Sequence, residues 1–217
     1  MPAEIFSRDG NDVALAVKRT FGDLDARQIT DADILDWINL AQQEIVSQNP
    51  ILKGSLENVT TIGQDTYQYP TERIQYIESI HLDGKPLEGY SFQEAERYIM
   101  AITGDDAKAS QTPQVWYERD GQIFLYPVPA EVQTIRMFFV ERPADLTSLS
   151  SPLGVPDRYY QRVLDLVLTR AYQLDGNWEA AQYKQSEFFN GMNLLANQEN
   201  VQRLTVYPTI TVREEDR

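Results

Sequence analysis

Helical patterns at both ends of a β-rich middle predict an α+β fold. The expected architecture is an antiparallel helical bundle from the N- and C-terminal segments, an inserted antiparallel β-sheet or small barrel, and an extended C-terminal arm. Three observations carry this. Apolar residues recur at helical spacing near both ends: Ile34, Ile38, Ala41 and Ile45 at one, Tyr160, Val163, Leu164, Val167, Leu168 and Ala171 at the other. β-branched and aromatic runs, punctuated by Asp-Gly pairs, fill the middle. From Leu204 the letters L-T-V-Y-P-T-I-T-V alternate with a period of two. The expected boundaries are 1–50 for the first helices, 51–145 for the β-rich insertion, 146–200 for the closing helices and 201–217 for the arm.

Taken in order, residues 11–21 read as a short helix on Val13, Leu15, Ala16 and Val17. After a polar break, Thr30 or Asp31 caps a stronger helix, with Leu35, Trp37 and Val46 widening its stripe. Asn49-Pro50 ends it, because proline cannot continue the hydrogen-bond ladder. Residues 56–62, 66–69 and 74–82 read as strands. Asp83-Gly84 is a hairpin turn, since glycine supplies the positive φ that tight hairpins need. Ser91 and Glu94 form a capping box that opens a short helix to about Ile102. A polar loop, 104–112, leads to two strands around Asp120-Gly121 and a third over 132–140. Asp157 is expected to cap a helix buried on more than one side and running to Leu174. Gly176 breaks the chain, and a final helix carries a near-heptad stripe at Trp178, Ala181, Gln185, Phe188, Met192 and Leu195. Two helices joined by so short a loop pack antiparallel.

The tail differs from everything before it. Leu204, Val206, Pro208, Ile210 and Val212 fall on one side of an extended chain, with Thr205, Tyr207, Thr209 and Thr211 on the other. Pro208 lacks an N–H and suits an edge. Two readings stay open: an edge strand of this chain's own sheet, or an arm that adds to another subunit's sheet. Fully extended, 201–217 reaches about 55 Å.

Composition narrows the function. The chain has 217 residues, of which 42% are hydrophobic, enough for one core and a satellite module. Net charge is −14 and the pI about 4.4, so the overall field repels a phosphate backbone. With no cysteine, disulfides and thiolate chemistry are excluded. The opening MPAEIFSRDG shows no apolar signal core, and no run is long enough to span a membrane, so a soluble cytosolic protein is expected.

Catalytic constellations are weak. The one histidine, His81, lies in a strand-like run with no local nucleophile pattern, and a structural role is the expectation. Asp31, Asp33 and Asp36 sit in the first turns of a helix, where they favour its dipole. Asp105 and Asp106 lack the ligand spacing of a calcium loop. No glycine-rich phosphate loop occurs. Arg136 beside Phe138 and Phe139, and Arg158 beside Tyr159 and Tyr160, could stack bases, but the net charge favours core aromatics and ion-paired arginines. Arg158 and Arg162, four apart on one helix face, and Tyr159 are candidates for contact with a neighbouring subunit. Twelve tyrosines and three tryptophans, Trp116, Tyr117, Tyr126 and Trp178 among them, suit protein–protein contact.

Four stretches, in this order, carry a family resemblance: ITDADILDWINLAQQEIVSQNP, IESIHLDGKPLEGYSFQEAERY, TPQVWYERDGQIFLYPVP and LGVPDRYYQRVLDLVLTRAYQLDGNWEAAQYKQSEF. Together they resemble the small head-to-tail connector (adaptor) proteins of tailed bacteriophages over about residues 30–190. The resemblance implies a structural virion protein: a ring, usually of about twelve copies, below the portal, lining a channel through which DNA passes without specific binding. It implies no cofactor and no membrane partner. The implied partners are the portal protein, sister subunits, and tail or nozzle proteins, in the virion neck, after assembly in the host bacterial cytoplasm. The terminal segment of the family commonly grips the portal or a neighbour, which makes Leu204, Val206, Tyr207, Pro208, Ile210 and Val212 the expected partner-binding residues. A tail-tube or tail-completion protein is the alternative, and a virion hydrolase a remoter one. The loops 104–112 and 146–154 are further candidates for contact.

Overall fold

The structure, a computed structural model, describes residues 8–23, 28–102 and 112–206, with side chains through 198. The chain divides into two compact units. One combines the described residues up to Asn49 with those from Ala144 onward; the other is Pro50–Pro143.

The first unit is helical. Helix α1 spans Gly10–Phe21 and α2 spans Asp31–Gln48. Both open on reciprocal capping boxes, Asp9 with Asp12 and Thr30 with Asp33, which satisfy backbone N–H groups that helix geometry leaves unpaired. A 3-10 turn, Asp157–Tyr159, precedes α4, Tyr160–Leu174, and α5 spans Trp178–Val206; α3 belongs to the other unit. Asp157 does not cap α4 as the sequence suggested. Its Oδ1 instead accepts from the Arg8 N–H at 3.1 Å, and the chain enters α4 through the tighter 3-10 turn. Ile34, Ile38, Ile45, Val13, Val17, Tyr159, Val163 and Val167 are fully buried and form the centre of this unit.

Three amides of α2 hold the returning chain. Asn39 donates from Nδ2 to the Leu146 carbonyl at 3.2 Å and accepts the Leu146 N–H at 2.8 Å. Gln42, fully buried, accepts the Gly154 N–H at 2.5 Å. Asn49 Nδ2 donates to the Tyr159 hydroxyl at 2.8 Å. The loop 146–154 is thus anchored at both ends, with Leu146 and Leu153 buried, while Thr147, Ser148, Ser150 and Pro152 between them are exposed.

Helix α5 packs along α4, and the order of contacts shows the pair to be antiparallel: Arg162 meets Glu187, while Asp165 meets Lys184. The seam runs through Ala181, Lys184, Phe188 and Met192. Trp178 and Gln185, expected in that seam, face solvent, because a straight helix at 3.6 residues per turn drifts off a heptad.

The second unit holds β1 Lys53–Val59, β2 Thr66–Gln68, β3 Ile74–Leu82, β4 Lys85–Pro86, β5 Glu88–Tyr90, α3 Phe92–Ile102, β6 Val115–Arg119, β7 Gln122–Tyr126 and β8 Thr134–Glu141. One sheet or a small barrel was expected. The described strands instead form two four-stranded sheets, ordered β1-β8-β3-β4 and β2-β7-β6-β5, without closing a barrel. The second is mixed, since β5 pairs parallel to β6. The chain changes sheet at Leu87: its N–H donates to Ile80 of the first sheet, while the next N–H, of Glu88, donates to Gln114 beside β6. Both Asp-Gly turns place their two residues at positive φ (47° and 80°, 52° and 70°), matching the twist of the hairpins they close. Ile80, Leu82, Leu87, Ile123, Leu125, Met137 and Phe139, drawn from both sheets, share one core.

Phe188 is the largest apolar side chain fully buried on α5. Phe188→Ala is expected to cost about 3–5 kcal/mol in urea unfolding, through lost burial and the cavity left behind.

Candidate functional site

Among the described residues no group of three or more metal-ligating side chains is clustered. His81 packs edge-on against Phe138, with ring centroids 4.9 Å apart, and its Nε2 lies 3.4 Å from Ser79 Oγ. Among the described residues no carboxylate orients that ring, so the pair lacks the third member that activates a hydroxyl. Asp33 is the capping partner of Thr30, whose hydrogen bonds hold its carboxyl below the ordinary range, and Asp31 pairs with Lys18 Nζ at 2.5 Å. Arg136 pairs with Glu57 across β8 and β1. Asp105 and Asp106 lie outside the described residues.

The surface feature that stands out is the outer side of α5. Trp178, Tyr183, Phe189 and Leu194 are 63%, 63%, 45% and 60% exposed. They form two pairs, Trp178 with Phe189 and Tyr183 with Leu194, each separated by 11 positions. At 100° per residue such partners lie about 20° apart, so each pair makes a stripe along the axis. The stripes flank the α4 seam on opposite sides, about 140° apart. From Phe188 to Gln198 no residue is charged, in a chain that is 24% charged. Asn190, Asn193 and Asn197 fill exposed positions between the stripes, with Glu179 in the first turn the charged exception. Isolated exposed apolar residues need no explanation; a helical face with few charges and two aromatic and aliphatic stripes has the composition of a protein interface.

The family model for the SU10 adaptor protein matches residues 11–213, nearly the whole chain. The chain belongs to the SU10 adaptor protein family. A search of curated proteins finds no match. The family is one of phage structural adaptors rather than enzymes, in keeping with a surface built for contact.

The adaptor places the three sequence-derived interface candidates differently. Arg158 is exposed at the start of α4, with its guanidinium 5.2 Å from the centre of the Tyr159 ring. Tyr159 is fully buried, so it is a core residue with no surface to offer. Arg162 turns inward: Nη1 donates to the Glu187 carbonyl at 2.6 Å, and the guanidinium lies where a side chain on Gly191 would stand. Its four-residue spacing from Arg158 puts the two on one helical face at the level of sequence, but the glycine on α5 opens a slot that Arg162 fills. Among the arm residues, Leu204 and Val206 belong to α5, correcting the expected strand start. Tyr207, Pro208, Ile210 and Val212 lie outside the described residues.

Beneath Arg162 lies a buried carboxylate that the sequence did not single out. Asp165 is 1% exposed. Its Oδ1 accepts from Gln161 Nε2 at 3.0 Å, and its Oδ2 lies 3.2 Å from Arg162 Nη2 but out of line for a hydrogen bond. Lys184 stands 4.0 Å away and is bound more closely by Glu187, at 2.6 Å. Burial pushes the Asp165 carboxyl above its ordinary value of 3.8, although Gln161, Arg162 and Lys184 pull the other way. The folded adaptor therefore holds this proton more tightly than the unfolded chain. Its contribution to stability is fully present below 3.8 and is lost as pH rises through the raised folded value. Asp165→Asn is expected to flatten the fall in urea midpoint with rising pH over that window. An unchanged pH profile in the variant would assign the slope to other groups.

Proposed function

We propose that this adaptor is a head-to-tail connector: one subunit of a ring of about twelve copies that docks below the portal, joins the filled head to the tail and lines the DNA channel. The observation that carries this reading is the pair of apolar stripes on α5, beside membership of the adaptor family. A ring is built from heterologous contacts, in which each subunit offers one face to the copy ahead and a different face to the copy behind. Two stripes on opposite sides of one helix meet that requirement; a single patch would give a closed dimer.

The net charge of −14 supports a channel that does not bind DNA, since repeated acidic subunits repel phosphates and let the duplex slide. No described helix is long and apolar enough to cross a membrane. The location that follows is the virion neck, reached by assembly in the host bacterial cytoplasm. The partners are the portal protein, sister adaptor subunits, and tail or nozzle proteins. Exposed Arg158 serves the rim of the subunit contact. The segment from Tyr207 to Val212 is an arm that holds one of these partners.

Light scattering of the adaptor with its cognate portal ring tests this. The expected result is near-stoichiometric copies bound per portal subunit. Phe189→Glu with Leu194→Glu is expected to weaken that assembly at least about tenfold with unchanged helix content, because charge is placed on both stripes. Self-assembly into long tubes without the portal would mark a tail-tube protein instead.

A further inference from the structure

The end of β1, at Asn58 and Val59, and the unpaired edge of β2 line one open groove of about 470 Å³ in the β-rich unit. Its walls include Asn58, Val59, Thr61, Thr66, Gln68 and Gln122, and every lining side chain is uncharged. The ladder bonds fix which peptide groups face it. Thr60 N–H donates to Gln133 and Leu52 accepts from Glu141, so even-numbered residues of β1 face β8. The peptide groups of Ser55, Glu57 and Val59 therefore point away from the sheet. On β2, Asp65 accepts from Leu125, which turns Thr66 and Gln68 outward. Two of these outward groups are occupied only by neighbouring side chains. The Val59 N–H meets Asn58 Oδ1 at 2.8 Å, and the Thr66 carbonyl accepts from Gln64 Nε2 at 2.7 Å. Such short-range bonds are what an incoming strand can replace without leaving a peptide group unpaired.

This chain contains a segment with the chemistry the groove asks for. In the sequence beyond Val206, the residues Tyr207, Pro208, Thr209, Ile210, Thr211 and Val212 are uncharged and alternate, before the charged run REEDR. Six extended residues span about 20 Å, close to the length of β1. Pro208, lacking an N–H, marks where pairing begins. An uncharged strand loses no ion solvation on entering the groove, and the two charged residues of β1 beyond it, Lys53 and Glu57, are already paired with Glu78 and Arg136.

We propose that the groove between β1 and β2 takes residues 207–212 of a second copy of this chain as an added strand along β1. This rests on the ring reading and assigns the arm to a sister subunit rather than to the portal. Each copy gives one strand and receives one, the head-to-tail exchange that a ring permits.

The absence of cysteine in the chain makes the test direct. One preparation carries Val59→Cys, a second Ile210→Cys, and the two are mixed, assembled on the portal ring and oxidised. The expected result is a disulfide-linked dimer at least about tenfold more abundant than in a control mixture of Val59→Cys with Asn190→Cys. A chain carrying both Val59→Cys and Ile210→Cys should link between copies. Linkage within one chain, linkage of Ile210→Cys to a cysteine on the portal, or rings without any linkage each overturn this inference alone. Failure of the parent chain to form a ring overturns the function reading and this one with it.

Discussion

The polar spine of α2 is the constraint on which the helical unit depends. The chain leaves this unit at Asn49 and re-enters it at Ala144. The returning segment has no regular hydrogen-bond ladder until α4 begins. Asn39 supplies one by side chain, pairing with both peptide groups of Leu146 as a neighbouring strand would. Gln42 and Asn49 continue it to Gly154 and Tyr159. An apolar residue at any of the three positions would bury unpaired peptide or hydroxyl groups, each costing about 1–3 kcal/mol. With Tyr159 seated, α4 begins in the core, and α1 and α5 are laid against it.

That arrangement makes α5 an inversion of an ordinary surface helix. Beside buried Ala181, Phe188 and Met192, its inner side also carries charge, with Lys184 and Glu187 facing Asp165 and Arg162. Its outer side carries Trp178, Phe189, Tyr183 and Leu194. Placing charges inside has a cost, visible in the raised Asp165 carboxyl, and the cross-helix bonds offset only part of it. What these contacts supply is position: Arg162 crossing at Gly191 fixes the rotation of α5 about its own axis, and with it the direction of both stripes.

Much of the fold was legible because local rules and tertiary packing agree. The bounds of α2 follow from Thr30 at one end and Asn49-Pro50 at the other, and β3 is the run Ile74–Leu82 that the apolar and β-branched pattern marked. The misses have separate causes. A heptad template put Trp178 and Gln185 in a seam that a straight helix turns away from α4. The split into two sheets depends on where Leu87 sends its hydrogen bond, which no residue pattern encodes. Tyr159 and Arg162 looked exposed by type, yet a buried amide donor, Asn49 Nδ2, and a glycine slot elsewhere in the chain drew them inward. Gln42 carried a usable signal: a polar residue beside Ala41 in an apolar stripe, explicable only by something for it to bind.

The two kinds of unsatisfied surface differ in how they are restrained. The stripes of α5 are apolar and always available, so they set a modest, nonspecific tendency to associate that the net charge of −14 opposes. The strand edges are directional, and left bare they would recruit any extended chain. Asn58 and Gln64 occupy them with bonds of local reach, which compete with an incoming strand at every encounter. Pairing then becomes favourable only when a matching strand is held nearby at high effective concentration. In the proposed ring, copies held side by side on the portal would supply that condition. On this argument the helical stripes determine when copies meet, and the strand edge determines that only a copy of the same chain stays.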